Sequence, residues 1–322
     1  MTNETNHEQS SSAENCTTTI SPDELAHFDE IIQPTVIEHN PSLTGLARLN
    51  PGIVYKEIDG EKLMMDVLQP QVPNGEHPHF PTVLFIQGSA FQTPDRNYEI
   101  PQLAELARRG FVIATVNHRN CTQGHPFPAF MEDVKAALRF LRAHSDDMFI
   151  DPERIGVWGT SSGGTTSLLM GLTSGLNMYN DGSHAEMSDK VTFAVDCFGI
   201  SEPRDMIPHP EDLSADLNGI WVKLLGVSDL SEASFASSRI DELSAMHIVQ
   251  QESEGRTYPP FLLLHGDSDG LVPYEQSQKV ALAMKKAGVD VSFVRMSGAD
   301  HEYDFWSQKT LDTIFTFIEN HA

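Results

Sequence analysis

The fold is indicated most clearly by one stretch of the sequence, Gly156-Val157-Trp158-Gly159-Thr160-Ser161-Ser162-Gly163-Gly164. It contains the pattern Gly-x-Ser-x-Gly with Ser161 at its centre. The run at 154–158 predicts a buried strand before the pattern, and the sequence at 165–175 predicts a helix after it. A serine on a sharp turn from strand to helix has its hydroxyl pushed out of the fold. The stretch therefore predicts Ser161 as a nucleophile.

The residues around this serine support the same turn. Only small residues fit two positions before and two positions after such a serine, and Gly159 and Gly163 fill those positions. Ser162 is the competing nucleophile. Centring the turn on it would put Thr160 where a small residue is required, so Ser161 is preferred.

The composition narrows the classes of protein to be considered. The 322 residues carry a formal net charge of −25 and are 39% hydrophobic, which is typical of a soluble globular protein. This charge argues against nucleic acids and anionic membranes as partners, because both would be repelled. The sequence lacks the run of about 18 apolar residues that a membrane span needs. The N-terminus has no secretory signal, so we expect a cytoplasmic protein.

The cysteines suggest neither a disulfide framework nor a metal site. Cys16, Cys121 and Cys197 are few and scattered, and no Cys/His spacing typical of zinc is present. We therefore expect no metal site.

The order of elements predicts an α/β architecture. Residues 1–20 are polar and predict a disordered tail, and 21–50 predict an N-terminal helical arm that begins at Ser21. The rest, 51–322, predicts one domain in which strands and helices alternate, as in a mostly parallel sheet with helices on both faces. The eight predicted strands cover 53–59, 61–68, 81–88, 111–117, 153–158, 191–199, 260–265 and 290–296.

One segment interrupts this alternation. Residues 202–257 contain several prolines, several acids and short amphipathic pieces in place of a short connection. Long excursions of this kind in α/β domains often cover a site, so we predict a small lid insertion. The alternative is a segment that simply packs on the domain surface.

The sequence also supplies a base for the serine. A serine hydroxyl needs a base to take its proton, and an imidazole base needs an acid to orient it. The order serine, acid, histidine is expected when such a serine leads, and this order favours His301 as the base. The acid stays open between Asp267 and Asp269. Asp300 ranks last because it adjoins His301 in the chain.

At these residues the chain resembles the α/β-hydrolase superfamily. The segment 265–273 is similar to its His-Gly-x-x-Asp-x-x-Val-Pro pattern, which implies the α/β-hydrolase fold and Asp269 as the acid. The segment 87–91 resembles the His-Gly-Gly-Gly loop of its esterases and lipases, with Gln in place of His. This likeness implies an oxyanion hole built from the amides of Ser89, Ala90 and Ser162.

The resemblance extends over about 50–320 and includes Arg119 and the segments 126–134 and 151–155. These look like stretches of bacterial carboxylesterases related to hormone-sensitive lipase, and of acetyl and feruloyl esterases. The resemblance implies a cofactor-independent hydrolase of small-molecule esters with short acyl or aryl-acyl groups. The candidate pocket walls are Phe91, Trp221, Tyr303, Phe305 and Trp306, and the alternative for each of them is an ordinary core position.

Other functions and assemblies stay open. A serine peptidase of the prolyl oligopeptidase type shares the serine turn and the order of acid and histidine. A third hypothesis is a binding protein that has the hydrolase fold but no catalytic activity. Such proteins tend to lack the serine, the acid or the histidine, and this chain has all three. A homo-oligomer could form through an edge strand or the lid face.

Overall fold

The computed structural model describes residues 19–206, 215–230, 238–251 and 256–322. The chain divides into two compact units between Pro41 and Ser42. In the first unit, the short helices α1 (Pro22–Ala26) and α2 (Phe28–Ile32) follow each other. Ser21 caps α1 through a reciprocal pair of hydrogen bonds with Glu24, as expected for a helix that begins there. Most of the predicted tail at 1–20 lies outside the described residues.

The second unit is built on one sheet of eight strands among the described residues. The strand order is β1-β2-β4-β3-β5-β6-β7-β8, and every pairing from β4 to β8 is parallel, while β2 pairs antiparallel with β1 and β4. The predicted mostly parallel, eight-stranded sheet is therefore confirmed. The strands are β1 (Ala47–Ile58), β2 (Glu61–Pro70), β3 (Phe80–Ile86), β4 (Val112–Val116), β5 (Ile150–Thr160), β6 (Ala194–Cys197), β7 (Phe261–Gly266) and β8 (Val291–Met296).

Helices cover both faces of this sheet, as predicted. Successive residues of a strand point to opposite faces, and the neighbours Leu84 and Phe85 on β3 accordingly belong to two different apolar clusters. The cluster around Leu84 includes side chains of α4, α5 and α10, and the cluster around Phe85 includes side chains of α3 and α11. These helices are α3 (Ile100–Arg108), α4 (Ala129–Ala143), α5 (Ser162–Leu172), α10 (Glu275–Lys286) and α11 (Gln308–His321).

The described parts of the insertion at 202–257 are mostly helical. They form α6 (Pro203–Met206), α7 (Ala215–Leu225), α8 (Ser238–Leu243) and α9 (Ala245–Gln251). The insertion is held to the domain by α9, which packs on α5 and α10, and by α7, whose Leu224 carbonyl accepts a hydrogen bond from the Phe127 amide at 2.8 Å. Residues 207–214, 231–237 and 252–255 of the predicted lid lie outside the described residues, and its role as a lid stays a prediction.

The two residues between β1 and β2 favour the tight turn of the hairpin with which the sheet begins. Asp59 and Gly60 connect β1 to β2 with φ angles of 52° and 81°, and Asp-Gly is a dipeptide that adopts such angles readily.

Over the part of the chain that the structure describes, no helix has both the length and the apolar character needed to cross a membrane.

Candidate active site

Ser161 lies on the turn between β5 and α5, at the carboxyl end of the central strands. Its backbone has φ 51° and ψ −119°, a conformation that costs free energy in a residue other than glycine. Two hydrogen bonds hold it: its amide donates to the Cys197 carbonyl at 2.9 Å, and its carbonyl accepts from the Thr165 amide at 3.0 Å. The surrounding backbone thus holds the backbone of Ser161 in this conformation.

The glycines of the pattern are required by close packing. A Cβ at Gly159 would lie 2.0 Å from the carbonyl oxygen of Gly163, and a Cβ at Gly163 would lie 2.0 Å from the carbonyl oxygen of Ile86. Both distances are far below van der Waals contact, so α5 meets β3 and β5 almost backbone to backbone. This explains why only small residues fit on either side of Ser161.

The structure brings the predicted base and acid to this serine. His301 Nε2 lies 3.0 Å from Ser161 Oγ, and His301 Nδ1 lies 2.7 Å from Asp269 Oδ2. A carboxylate only accepts hydrogen bonds, so Nδ1 is the donor and Nε2 is free to accept the serine proton. The imidazole packs edge-on against Phe198, with 4.7 Å between ring centroids. The arrangement can remove a proton from Ser161.

Asp269 is held by hydrogen bonds on both carboxylate oxygens. Oδ1 accepts from the amides of Leu271 and Val272 at 2.9 and 2.8 Å, while Oδ2 accepts from His301 and from His265. Burial raises the pKa of this carboxyl, but the hydrogen bonds from His265 and His301 outweigh it and hold the pKa well below its usual range. Asp269 is therefore an anion that faces the candidate base.

His265 is a part of the site that the sequence analysis missed. Its Nε2 lies 3.1 Å from Asp269 Oδ2 and 2.9 Å from the Val272 carbonyl, and its Nδ1 lies 2.7 Å from Ser277 Oγ. Because both partners of Nε2 are acceptors, Nε2 donates, and Nδ1 accepts a hydrogen bond from the Ser277 hydroxyl. A histidine four residues before the acid, on the same strand end, was the available signal.

The two other candidate acids shape turns. Asp267 forms an ion pair with Arg295, whose Nη2 lies 2.5 Å away, and accepts a hydrogen bond from the Gly298 amide at 2.6 Å. Asp300 accepts from the amides of Gly270 and His301 at 2.8 and 2.7 Å. Neither carboxylate is hydrogen-bonded to the His301 ring, so the imidazole is oriented by Asp269.

Among the described residues, one of the three predicted oxyanion amides already has a hydrogen-bond acceptor and the other two do not. The Ser89 amide donates to Ser162 Oγ at 2.9 Å, and the Gly88 amide donates to Thr160 Oγ1 at 2.8 Å. Within the described ranges, the amides of Ala90 and Ser162 have no hydrogen-bond acceptor. Ser162 also begins α5, where the helix dipole is positive. Ala90 and Ser162 can therefore receive an oxyanion, while the Ser89 amide fastens the loop.

An apolar cavity of about 80 Å³ opens beside Ser161. Phe91 and Trp221, both predicted as walls, line it and are buried. Its other walls are Ala90, Ser162, Ile200, Met206, Ile220, Leu271 and Val272. Met206, Ile220 and Trp221 belong to the insertion at 202–257, so this segment contributes directly to the site.

The remaining predicted wall residues lie elsewhere. Tyr303 does not line the cavity, and the residue is 94% exposed, because the turn that follows His301 directs it to solvent. Phe305 is buried against Phe198 in the cluster around Phe85. Trp306 packs on Trp158 on the same face of the sheet. The sequence does not distinguish these directions within one turn.

The described residues hold no group of three or more His, Cys, Asp or Glu side chains that could bind a metal ion. Cys121 and Cys197 are buried free thiols, and burial raises the pKa of the Cys197 thiol well above its usual range. These thiols are therefore protonated and packed in the core.

Comparison with known proteins gives a family match. A family model described as BD-FAE matches residues 65–284. Among curated proteins, the chain is 27% identical over 229 residues to the probable carboxylic ester hydrolase LipM of Mycobacterium tuberculosis, covering 70% of this chain and 49% of LipM. It is 26% identical over 299 residues to the esterase LipC of the same organism, covering 88% and 67%. The chain thus spans about half the length of LipM.

A solved structure has the same architecture. A truncated carbohydrate esterase from gut microbiota superposes with a TM-score of 0.70 at 22% identity, covering 88% of this chain and 99% of the other. Both curated relatives are named as ester hydrolases, and this structural neighbour is named as an esterase.

Proposed function

The chain belongs to the BD-FAE family and has the α/β-hydrolase fold, and from this premise we propose that it is a serine carboxylic ester hydrolase. One observation carries the proposal. Ser161 Oγ, the His301 ring and the Asp269 carboxylate form one hydrogen-bonded chain with distances of 3.0 and 2.7 Å. This is the geometry in which a serine hydroxyl is activated by a base that an acid orients.

The proposed reaction uses each of these groups in turn. Ser161 Oγ attacks the ester carbonyl while His301 Nε2 takes its proton, and Asp269 stabilises the imidazolium that forms. The amides of Ala90 and Ser162 stabilise the tetrahedral oxyanion. His301 then gives the proton to the leaving alcohol, and water hydrolyses the acyl-enzyme by the same steps.

The size of the cavity supports a short aliphatic acyl group. Its volume of about 80 Å³ is roughly half of the ~150 Å³ that an apolar protein cavity offers when it binds benzene. We therefore propose an acyl group of the size of acetyl or propionyl, since a cinnamoyl or feruloyl group is larger than this volume. Of the two acyl classes that the resemblance implies, the short one is the better supported.

Labelling with a fluorophosphonate probe tests the proposed nucleophile. The intact mass of the wild type should increase by one adduct, and the Ser161→Ala variant should stay unlabelled. Ser292→Ala, at an exposed position on β8, is the matched control, since it removes a serine hydroxyl and leaves the residues around Ser161 unchanged. Labelling of Ser161→Ala to the same extent as the wild type contradicts the assignment.

A series of p-nitrophenyl esters tests the acyl group. We expect kcat/KM to fall about tenfold or more between acetate and octanoate, because the longer chain has no room beside Ser161. Trp221→Ala should reduce this difference by enlarging the cavity. Faster cleavage of a proline p-nitroanilide than of the acetate ester would instead support the peptidase hypothesis.

A further inference from the structure

A second cavity lies on the opposite face of the sheet, beside α3 and α11. Its volume is about 290 Å³, and its walls are Tyr98, Glu99, Gln102, Trp158, Trp306 and Leu311. It shares no wall residue with the cavity at Ser161. None of these residues takes part in the proposed hydrolysis.

Glu99 is the unusual group in this cavity. Only 6% of the residue is exposed, and its Oε1 has no hydrogen-bond partner among the described residues. Burial, and next the nearby carboxylates of Glu302 and Asp95, raise the pKa of Glu99 to about 8. Over the described ranges, no basic side chain forms an ion pair with Glu99 or Glu302. The site has acceptors for a cation and supplies no cation itself.

Aromatic rings complete the cavity. The Trp158 and Trp306 rings meet at 61° with 6.3 Å between centroids, and Trp306 Nε1 donates to Glu302 Oε1 at 3.1 Å. This hydrogen bond fixes the Trp306 ring and the Glu302 carboxylate relative to each other. Indole faces attract cations, and carboxylates accept their N–H groups in strong, charge-assisted hydrogen bonds.

We propose that this cavity binds a small organic cation with N–H donors, of the alkylguanidinium class, held by Glu99 and Glu302 against the Trp306 ring. A planar guanidinium suits the site because it can stack on indole while its N–H groups reach carboxylates on different sides. On binding, the carboxyl proton of Glu99 is released to solvent, and the resulting carboxylate accepts an N–H of the ligand. The proposal holds whether or not the chain hydrolyses esters.

The proposal gives binding a definite pH dependence. The titratable groups near Glu99 are Glu302 from the turn after β8, Asp95 and Tyr98 from the loop before α3, and the Cys197 thiol from β6. Below about pH 8 the ligand must displace the Glu99 proton, so affinity should fall about tenfold for each pH unit. A guanidinium stays charged over this pH range, so a change in affinity with pH comes from titration of the protein and not of the ligand.

Calorimetric titration with ethylguanidinium chloride tests the site, with ethylurea as the neutral ligand of the same shape. We expect saturable binding of ethylguanidinium that strengthens from about pH 6 to about pH 8, and no saturable binding of ethylurea. Glu99→Gln should weaken binding about tenfold or more and remove the pH dependence. Glu57→Gln, at an exposed position on β1, is the matched control and should bind like the wild type.

Three results would overturn the proposal. They are the absence of saturable ethylguanidinium binding at about pH 8, equal binding of ethylurea, and unchanged affinity in Glu99→Gln. If Glu99→Gln does not fold, Glu302→Gln gives the same test, because a glutamine can keep the bond from Trp306 while the charge is lost. Tryptophan fluorescence should change on binding, since Trp158 and Trp306 form the wall.

Discussion

His265 Nε2 lies 3.1 Å from Asp269 Oδ2, the same oxygen that accepts the hydrogen bond from His301. Two imidazoles therefore share one carboxylate oxygen, and only one of them reaches Ser161. His265 is fully buried and is itself held by Ser277 and the Val272 carbonyl. The position of the acid thus depends on a residue outside the chain of proton transfer.

Replacing His265 by glutamine should lower kcat about tenfold with little change in KM. The variant loses an oriented donor to Asp269, so the pKa of that carboxyl rises and the His301 ring is held less firmly. Steady-state hydrolysis of p-nitrophenyl acetate measures this effect, and Ser277→Ala, which removes only the partner of His265, should cost less. A folded His265→Gln enzyme with unchanged kcat and pH profile would show that His265 has no positioning role.

The two acids after β7 should respond very differently to the same substitution. Asp269→Asn should lower kcat by about 10³-fold or more, because asparagine cannot stabilise the imidazolium. Asp267→Asn should change kcat by no more than about threefold, since Asp267 contacts Arg295 and Gly298 and is not bonded to the His301 ring. Measuring kcat for the two variants side by side tests the assignment of Asp269 as the acid. A greater loss of kcat in Asp267→Asn than in Asp269→Asn would contradict this assignment.

Gly88→Ala should damage catalysis more than stability. A Cβ at this position would lie 2.8 Å from Ser161 Cβ and 2.9 Å from the Thr160 carbonyl oxygen. The loop or the serine must move, and a displacement of about 1 Å can cost about 100-fold in rate. Gly219→Ala on α7, where an added Cβ meets nothing within 4 Å, is the control and should keep wild-type kinetics. Wild-type kcat in Gly88→Ala would contradict the prediction.

Asp196→Asn should stabilise the protein at alkaline pH. Asp196 is completely buried, its Oδ2 has no partner among the described residues, and burial raises its pKa from 3.8 to about 7. The folded state keeps a proton that the unfolded state has lost, so the stability contribution of this group falls as pH rises from 3.8 through 7. The full loss above pH 7 is roughly 4 kcal/mol.

Urea unfolding at about pH 5 and about pH 8 measures this difference. Asp196→Asn should gain stability relative to the wild type between the two pH values. The exposed control Asp290→Asn should follow the wild type at both. An equal pH dependence in the wild type and Asp196→Asn would refute the prediction.

The order of the elements could be predicted from the sequence, because strands covered on both faces require continuous apolar runs. The residues at which the strands begin and end could be predicted less well. The strand predicted at 53–59 is β1 (Ala47–Ile58), and the strand predicted at 191–199 is β6 (Ala194–Cys197). At the edge of the sheet, β1 continues through exposed residues and two irregularities in register. Around β6, the apolar run continues beyond the strand because loop residues such as Phe198 are also buried.

The site could be predicted where chain order and motif spacing decide it. Ser161 and His301 each follow a strand of one parallel sheet, so topology alone brings them near one another. Contacts that depend on side-chain direction could not be foreseen. The Ser89 amide is occupied by Ser162 Oγ, and Tyr303 points to solvent while Phe305, in the same turn, is buried. Tyr303 and Phe305 are both aromatic and lie two positions apart, so only their packing in the folded protein distinguishes the exposed residue from the buried one.

The cavity at Ser161 divides its walls between two parts of the chain. Ser161, Ser162 and Ala90 follow strands of the sheet, whereas Met206, Ile220 and Trp221 belong to the insertion at 202–257. The described parts of the insertion add no strand to the sheet. Its sequence can therefore diverge, or be redesigned, to admit a different ligand while the residues around Ser161 are inherited unchanged.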